Sequence, residues 1–256
     1  MIEDMSGTTR RRLLTGLACT GLAVGTGAWT LNSADAADNR SATIRHLTGG
    51  VSLKGWPALP EESRKALLQL LEGNRRFRSG HALHPDQSVR WVTGLAAGQH
   101  PFATVLGCID SRVPVEIITD QGCGSLFVAR SAGHVLDDAV VGSVEFGVEE
   151  LHIPLLVVLD HESCGAITAA IAAIDSGKEA DGRIQYLVEQ LAPSVAASSH
   201  LRDATRRLDA AVRHNVHATV THLMKTSKII RKAVQAREIG VVAARYDLTD
   251  LALTPA

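Results

Sequence analysis

Two short runs carry most of the chemistry in this chain: Cys108-Ile109-Asp110-Ser111-Arg112 and, about fifty residues on, His161-Glu162-Ser163-Cys164. Together they offer two thiols, an imidazole, a carboxylate and a guanidinium. Two sulfurs and one nitrogen form a donor set for a borderline-soft ion, and Zn²⁺ takes such sets tetrahedrally. Three firm ligands, Cys108, His161 and Cys164, leave the fourth position to water or to Asp110, as in a catalytic rather than a structural zinc site. Bound zinc lowers the pKa of its water from ~15.7 to about 7, so the chemistry on offer is attack by water at neutral pH. Two thiolates donate more charge than imidazoles and leave that water less acidic unless something offsets them.

Asp110 and Arg112 are spaced for a shared hydrogen-bond fork. A carboxylate held in that fork can orient the attacking oxygen; released from it, the same carboxylate can become a fourth ligand and close the site. Each residue has a plainer reading when taken alone: a core cysteine, a satisfied core histidine, or a surface ion pair worth about 0–1 kcal/mol. Their joint occurrence at the ends of apolar, strand-like runs favours the metal.

The elements that must position them form a repeating rhythm. Pro60-Glu61-Glu62 opens a helix with Leu67, Leu68, Leu70 and Leu71 as its apolar stripe, running to about Gly80. Phe102 to Gly107 reads as a buried strand ending at Cys108. A short helix over Val113 to Thr119 and a strand over Leu126 to Arg130 follow. Asp137-Asp138 caps a helix to Leu151, and Leu155 to Leu159 is a third strand, with His161 just beyond it. Gly165 to Ile174 is an apolar helix closed by Gly177. Helices over Gly182 to Ser198 and Arg202 to Arg237 precede a last strand, Gly240 to Tyr246, expected at the sheet edge. The expectation is an α/β fold: a mostly parallel central sheet of about four or five strands flanked by helices. Sites in such sheets gather beyond the carboxyl ends of strands, where Cys108 and His161 both fall.

Composition narrows the classes. The chain has 256 residues, 45% hydrophobic and 21% charged, enough for one sizeable core. A net charge of −1, no basic block and 4% aromatic residues argue against a nucleic-acid partner. Residues 1–36 resemble a twin-arginine export signal: Arg10-Arg11-Arg12 precede a weakly apolar stretch to Leu31, and Ala34-Asp35-Ala36 forms a small-residue cleavage site. Export to the periplasm or beyond follows, with no membrane segment left after cleavage; the alternative is an uncleaved anchoring helix. Residues 37–59 read as an irregular arm and 60–256 as a single zinc-binding catalytic domain. After cleavage Cys108, Cys123 and Cys164 remain, an odd number that argues against a disulfide framework. Cys123 reads as a buried small hydrophobe.

Other motifs fail. Gly165 occupies the second histidine position of H-E-x-x-H, and Gly122-Cys123-Gly124 precedes a strand rather than a helix. No C-x-x-C occurs. His214, His217 and His222 fall on one helix without a carboxylate or thiol beside them.

With C-x-D-S-R at 108–112 and H-x-x-C-G at 161–165, the sequence resembles the β-class carbonic anhydrases. Gly73-Asn74-Arg75-Arg76-Phe77, Gly124 to Val128 with Arg130, Ala132-Gly133-His134 and Ala244 to Asp247 extend the resemblance over roughly Pro60 to Asp247. It implies Zn²⁺ on Cys108, His161 and Cys164, Asp110 and Arg112 as the catalytic dyad, and Asp110 as fourth ligand in a closed state. It implies a substrate pocket for CO₂ and bicarbonate drawing on Gln99, Phe127, the Phe146 region and the Gly165 N–H. Gln99 is expected to serve the neighbouring subunit's site, so a homodimer or higher even oligomer follows. Val105 stands where one branch carries a tryptophan, favouring the open form. Phe146 replaces a usual tyrosine, and Asp160 a common glycine before the histidine ligand. Two other readings stand beside CO₂ hydration: a COS or CS₂ hydrolase on the same scaffold, and a zinc-binding module without catalysis.

Overall fold

The computed structural model describes residues 51–256. The expected export signal, residues 1–36, and the arm as far as residue 50 lie outside the described residues. Val51, Leu53, Trp56 and Leu59 pack against the main core, so the end of the expected arm already belongs to the folded unit.

Helix α1 (Glu61–Arg78) starts at Pro60, with Glu61 and Glu62 in its first turn and Arg75, Arg76 and Arg78 in its last. This charge order complements the helix dipole. Leu67, Leu70 and Leu71 are buried beneath it. Helix α2 (Val89–Gly94) and a 3₁₀ turn (Leu95–Ala97) lead to strand β1 (Ala103–Cys108). Helix α3 (Val115–Ile118), strand β2 (Leu126–Ser131) and a 3₁₀ turn (Ala132–His134) follow. Helix α4 (Asp138–Glu149) starts where the Asp137 carboxylate accepts the Val140 N–H, the expected cap. Then come strand β3 (Leu155–His161), helix α5 (Gly165–Ser176) and helix α6 (Ile184–Ala197). Helices α7 (Ala204–Thr226) and α8 (Lys228–Gln235) and strands β4 (Gly240–Tyr246) and β5 (Leu253–Pro255) complete the chain.

The sheet order is β2-β1-β3-β4-β5, with the first four strands parallel and β5 antiparallel. Every residue of β1 and β3 is buried, as expected of central parallel strands covered on both faces. One face carries Val105, Leu155, Val157 and Leu159 against α1; the other carries Leu106, Leu156 and Val158 against α4, α7 and α8.

Three expectations need correction. Strand β4 is interior, because the chain turns back and adds β5, a three-residue strand too short for its pattern to show in sequence. The helix expected over Arg202 to Arg237 breaks at Ser227 (φ −81°, ψ 116°). The Ser227 hydroxyl accepts the Ile230 N–H, capping α8, and donates to Glu145 on α4. Cys123 is exposed rather than buried.

Helix α1 is fastened to the loop after α3 by close approach and by buried polar contacts. A Cβ on Gly73 would stand 1.8 Å from the Thr119 carbonyl oxygen, so only glycine permits this crossing. Asn74 donates to the carbonyls of Ile118 and Leu251 and accepts the Leu253 N–H. The Arg76 guanidinium lies 2.6 Å from Asp120, which also accepts the N–H groups of Leu83 and His84. Burial acts to raise the Asp120 carboxyl, but those N–H groups and Arg76 outweigh it and hold the group below its usual value. A depressed carboxyl stabilises the fold above its unfolded pKa, and that contribution is lost as the pH falls. Asp120→Ala should cost about 3 kcal/mol in urea unfolding at pH 7, with the deficit shrinking in acid, because it strands a largely buried guanidinium.

Candidate active site

Cys108 ends β1 and His161 ends the adjacent parallel strand β3. The pairing of Gly107 with Leu159 brings the two strand ends side by side. The chain then makes a tight turn through Ser163, at φ +53°, a conformation that costs a non-glycine residue energy. The turn delivers Cys164 to the first position before α5. The three donor atoms of Cys108, His161 and Cys164 lie within 4.8 Å of one another, and all three residues are buried.

The donors fit a metal. The Cys108 and Cys164 sulfurs are 4.0 Å apart and unbonded, close to the ~3.8 Å edge of a tetrahedron with bonds of about 2.3 Å. The His161 Nδ1 sits 2.8 Å from the Glu162 carbonyl oxygen, to which it donates. This fixes the tautomer and leaves a lone pair on the buried Nε2, which has no hydrogen-bond partner among the described residues. An orphaned imidazole nitrogen facing two buried sulfurs could hold a metal, which a satisfied core histidine could not.

Asp110 stands beside this set. Its Oδ1 accepts the Arg112 Nε–H at 2.9 Å and the Arg112 backbone N–H at 3.0 Å, and its Oδ2 accepts from Nη2 at 2.8 Å. The same Nη2 donates to the Ser163 carbonyl at 3.1 Å, tying the fork to the ligand turn. Asp110 Oδ2 is 3.7 Å from His161 Nε2. The Arg112 guanidinium holds the Asp110 carboxyl well below the usual range, which favours its ionised form.

The two thiols titrate as a pair. The contact with Cys164 holds the Cys108 thiol low, with help from His161 and the Gly133 N–H, while the same contact and burial push Cys164 up.

Beside the donors lies an open cleft of about 580 Å³. Ile109, Asp110, Arg112 and Gly165 form part of its wall, and Ala166, Ala169, Leu187 and Val188 make much of the rest apolar. Gln99, Phe127 and Phe146 are not among its walls. Phe127 pairs with Thr104, four residues before Cys108 and hence about 13 Å down the sheet. It stacks on Phe146 with ring centroids 6.5 Å apart, and Phe146 is 49% exposed. Gln99 is also exposed. His214, His217 and His222 lie exposed on α7, apart from the donor set. Asp160 points away from His161, on the other face of β3. Both its oxygens lack hydrogen-bond partners among the described residues, Arg245 Nη1 is 3.9 Å away, and burial pushes its pKa up to about 7.

Two contributors were not assigned roles by sequence reasoning. Arg130, on β2, donates to the carbonyls of Cys108 at 2.7 Å and Asp110 at 2.6 Å, bracketing the loop that carries both. Gly133 points its N–H at Cys108 Sγ, 3.3 Å away. Both residues lie in stretches that carried the family resemblance, but neither residue type announces its target.

The chain belongs to the carbonic anhydrase family, whose profile matches residues 103–253. It is 48% identical over 181 residues to Carbonic anhydrase 2 of Mycobacterium tuberculosis, covering 71% of this chain and 86% of that one. Among solved structures, the β-carbonic anhydrase of Coccomyxa in complex with acetazolamide superimposes with a TM-score of 0.59 at 25% identity, covering 73% of this chain and 84% of that one. One of two tetrameric β-carbonic anhydrases from Sordaria macrospora has the same fold, with a TM-score of 0.59 at 22% identity, covering 72% and 93% respectively. Within the family, the mostly parallel sheet and the Cys-His-Cys donor set are those of the β class.

His134, which closes the Gly133 turn, gives a pH prediction. Burial lowers its pKa from 6.5 to about 4, so the folded state holds it neutral. The unfolded chain binds this proton first, and the contribution is complete above pH 6.5 and lost between pH 6.5 and about 4. In an NMR titration, His134 should still be neutral at pH 6 and titrate only near pH 4. The urea midpoint should fall across that window, less steeply in His134→Asn.

Proposed function

We propose that Cys108, His161 and Cys164 hold Zn²⁺, with Asp110 and Arg112 as the dyad beside it. The protein is a carbonic anhydrase that converts CO₂ and water reversibly to bicarbonate and a proton. The observation that carries this reading is the unbonded Cys-His-Cys donor set directly beside the Asp110–Arg112 fork, in a chain of this family. When bound, zinc supplies the Lewis acidity that makes a water molecule acidic near neutral pH.

The chain's own residues then do the positioning. Asp110, ionised and pinned by Arg112, accepts a hydrogen bond from the attacking oxygen and aims its lone pair at carbon. Its engagement by Arg112 supports the open arrangement, with the fourth position left to water. The apolar cleft wall accepts CO₂, which has little to offer a hydrogen-bonding site. Gly165 opens α5, and a first-turn N–H has no intrahelical acceptor. In this reading it stabilises the charge that grows on the CO₂ oxygen as bicarbonate forms. Gln99, Phe127 and Phe146 lie outside the cleft of their own chain, which supports their serving the site of a second copy. The functional unit is then a homodimer or a higher even assembly. Arg10 to Ala36 supports export by the twin-arginine route, with the mature enzyme acting outside the cytoplasm.

Asp110→Ala should lower kcat/KM for CO₂ at least 100-fold in stopped-flow assays from pH 6.5 to 9, while zinc stays near one per chain. Retained activity removes the dyad from the mechanism. Sulfide release from COS at a rate rivalling hydration would instead place the main activity on that substrate. Gln99→Ala should also impair turnover. Mixed dimers of Gln99→Ala and Asp110→Ala chains should recover about half the wild-type rate, since one complete site is rebuilt across the interface. No recovery would put Gln99 to work in its own chain.

A further inference from the structure

We infer that Asn215, on α7, is a positioning residue for the metal site: it locks the Gly133 turn so that the Gly133 N–H donates to Cys108 Sγ. The inference rests on the assignment of Cys108 as a metal ligand and goes beyond it to how the charge of that ligand is set.

The observations form one connected chain of buried groups. Asn215 is 6% exposed, and its Nδ2–H donates to the Gly133 carbonyl at 2.9 Å. Its Oδ1 accepts the Ser194 hydroxyl from α6 at 3.1 Å, which fixes the orientation of the amide. The Thr219 hydroxyl donates to the Asn215 carbonyl at 2.9 Å, so His134 Nδ1, 3.1 Å from that hydroxyl, must be the donor to it. Asn215 and Thr219 thus reach the Gly133-His134 turn from one face of α7, four residues apart.

That turn needs holding. Gly133 has φ +60° and His134 has φ +44°, two successive left-handed residues of which only one is glycine. A Cβ at position 133 would meet Leu191 at 3.2 Å, so the turn is also tightly enclosed. A strained turn persists only when its surroundings over-determine it. Here α7 grips the Gly133 carbonyl, and the N–H of the same residue points at sulfur.

The consequence is electronic. Two thiolates donate heavily to a metal and would keep its water basic. A hydrogen bond to a ligand sulfur withdraws part of that charge, and such outer contacts tune both affinity and the acidity of what the metal binds. Gly133 supplies one such bond, and Asn215 determines that it is made. Because the amide works through a backbone carbonyl 82 residues away in sequence, no short motif encodes it.

The test uses full-length holoenzyme with Zn²⁺ and, in parallel, with Co²⁺ in its place. Asn215→Ala removes the amide, and Asn215→Ser keeps a hydroxyl too short to reach Gly133; the serine variant serves should the alanine variant fail to fold. We expect zinc affinity in a chelator competition to fall 10- to 100-fold. We also expect the sulfur-to-cobalt charge-transfer band to move to lower energy, because a sulfur without its hydrogen bond gives up an electron more readily. The alkaline shift of the kcat/KM profile should follow in the same variants. Ser194→Ala should move the band in the same direction by less. A folded Asn215→Ser protein with wild-type zinc affinity and an unmoved cobalt band overturns the inference. Wild-type protein lacking any sulfur-to-cobalt band would overturn the ligand assignment itself, a distinguishable result.

Discussion

The site depends on two buried sulfurs and an imidazole that are brought within bonding range of one point and yet left unbonded to each other. Parallel pairing of β1 with β3 makes this possible, because it aligns two carboxyl-terminal ends carrying Cys108 and His161. The third donor needs a reversal within three residues, which is why Ser163 sits in a left-handed conformation. The cost of that backbone is met by its neighbours, including the hydrogen bond from Arg112 to the Ser163 carbonyl. The guanidinium that fixes the carboxylate therefore also fixes the turn that supplies the third donor.

Three strands converge on the loop that carries Cys108 and Asp110. Arg130 reaches from β2 to hold two of its carbonyls, and the turn after β2 faces the Cys108 sulfur. Such a loop has little freedom, and a water-activating site benefits from groups whose alignment does not have to be found anew in each turnover. Ala166 and Ala169 of α5 and Leu187 and Val188 of α6 add an apolar wall beside it.

Much of this was legible in sequence, for physical reasons that differ by element. β3 read clearly because a strand buried on both faces must be a continuous apolar run, and α1 read clearly because its proline, acids and terminal arginines mark both ends. The donor set was legible because cysteine and histidine at strand ends have few other uses in combination. The break at Ser227 was not, since a capping serine inside a helical pattern is indistinguishable from a solvent-facing one until its partner Glu145 is in view. β5 was too short to show a period. Arg130 acts through backbone carbonyls, which no side-chain pattern records. Gln99, Phe127 and Phe146 entered only through resemblance; the place of Phe127 away from the cleft comes from strand register, which residue types do not reveal.

Asn74 binds helix α1 to the carbonyl and N–H groups of Leu251 and Leu253, almost the whole length of the described chain away. One side-chain amide thus ties helix α1 to the segment leading into β5 across 177 and 179 residues. Loosening either end of the described domain leaves buried polar groups at the other without their partner, so the two ends share a single fate in local opening.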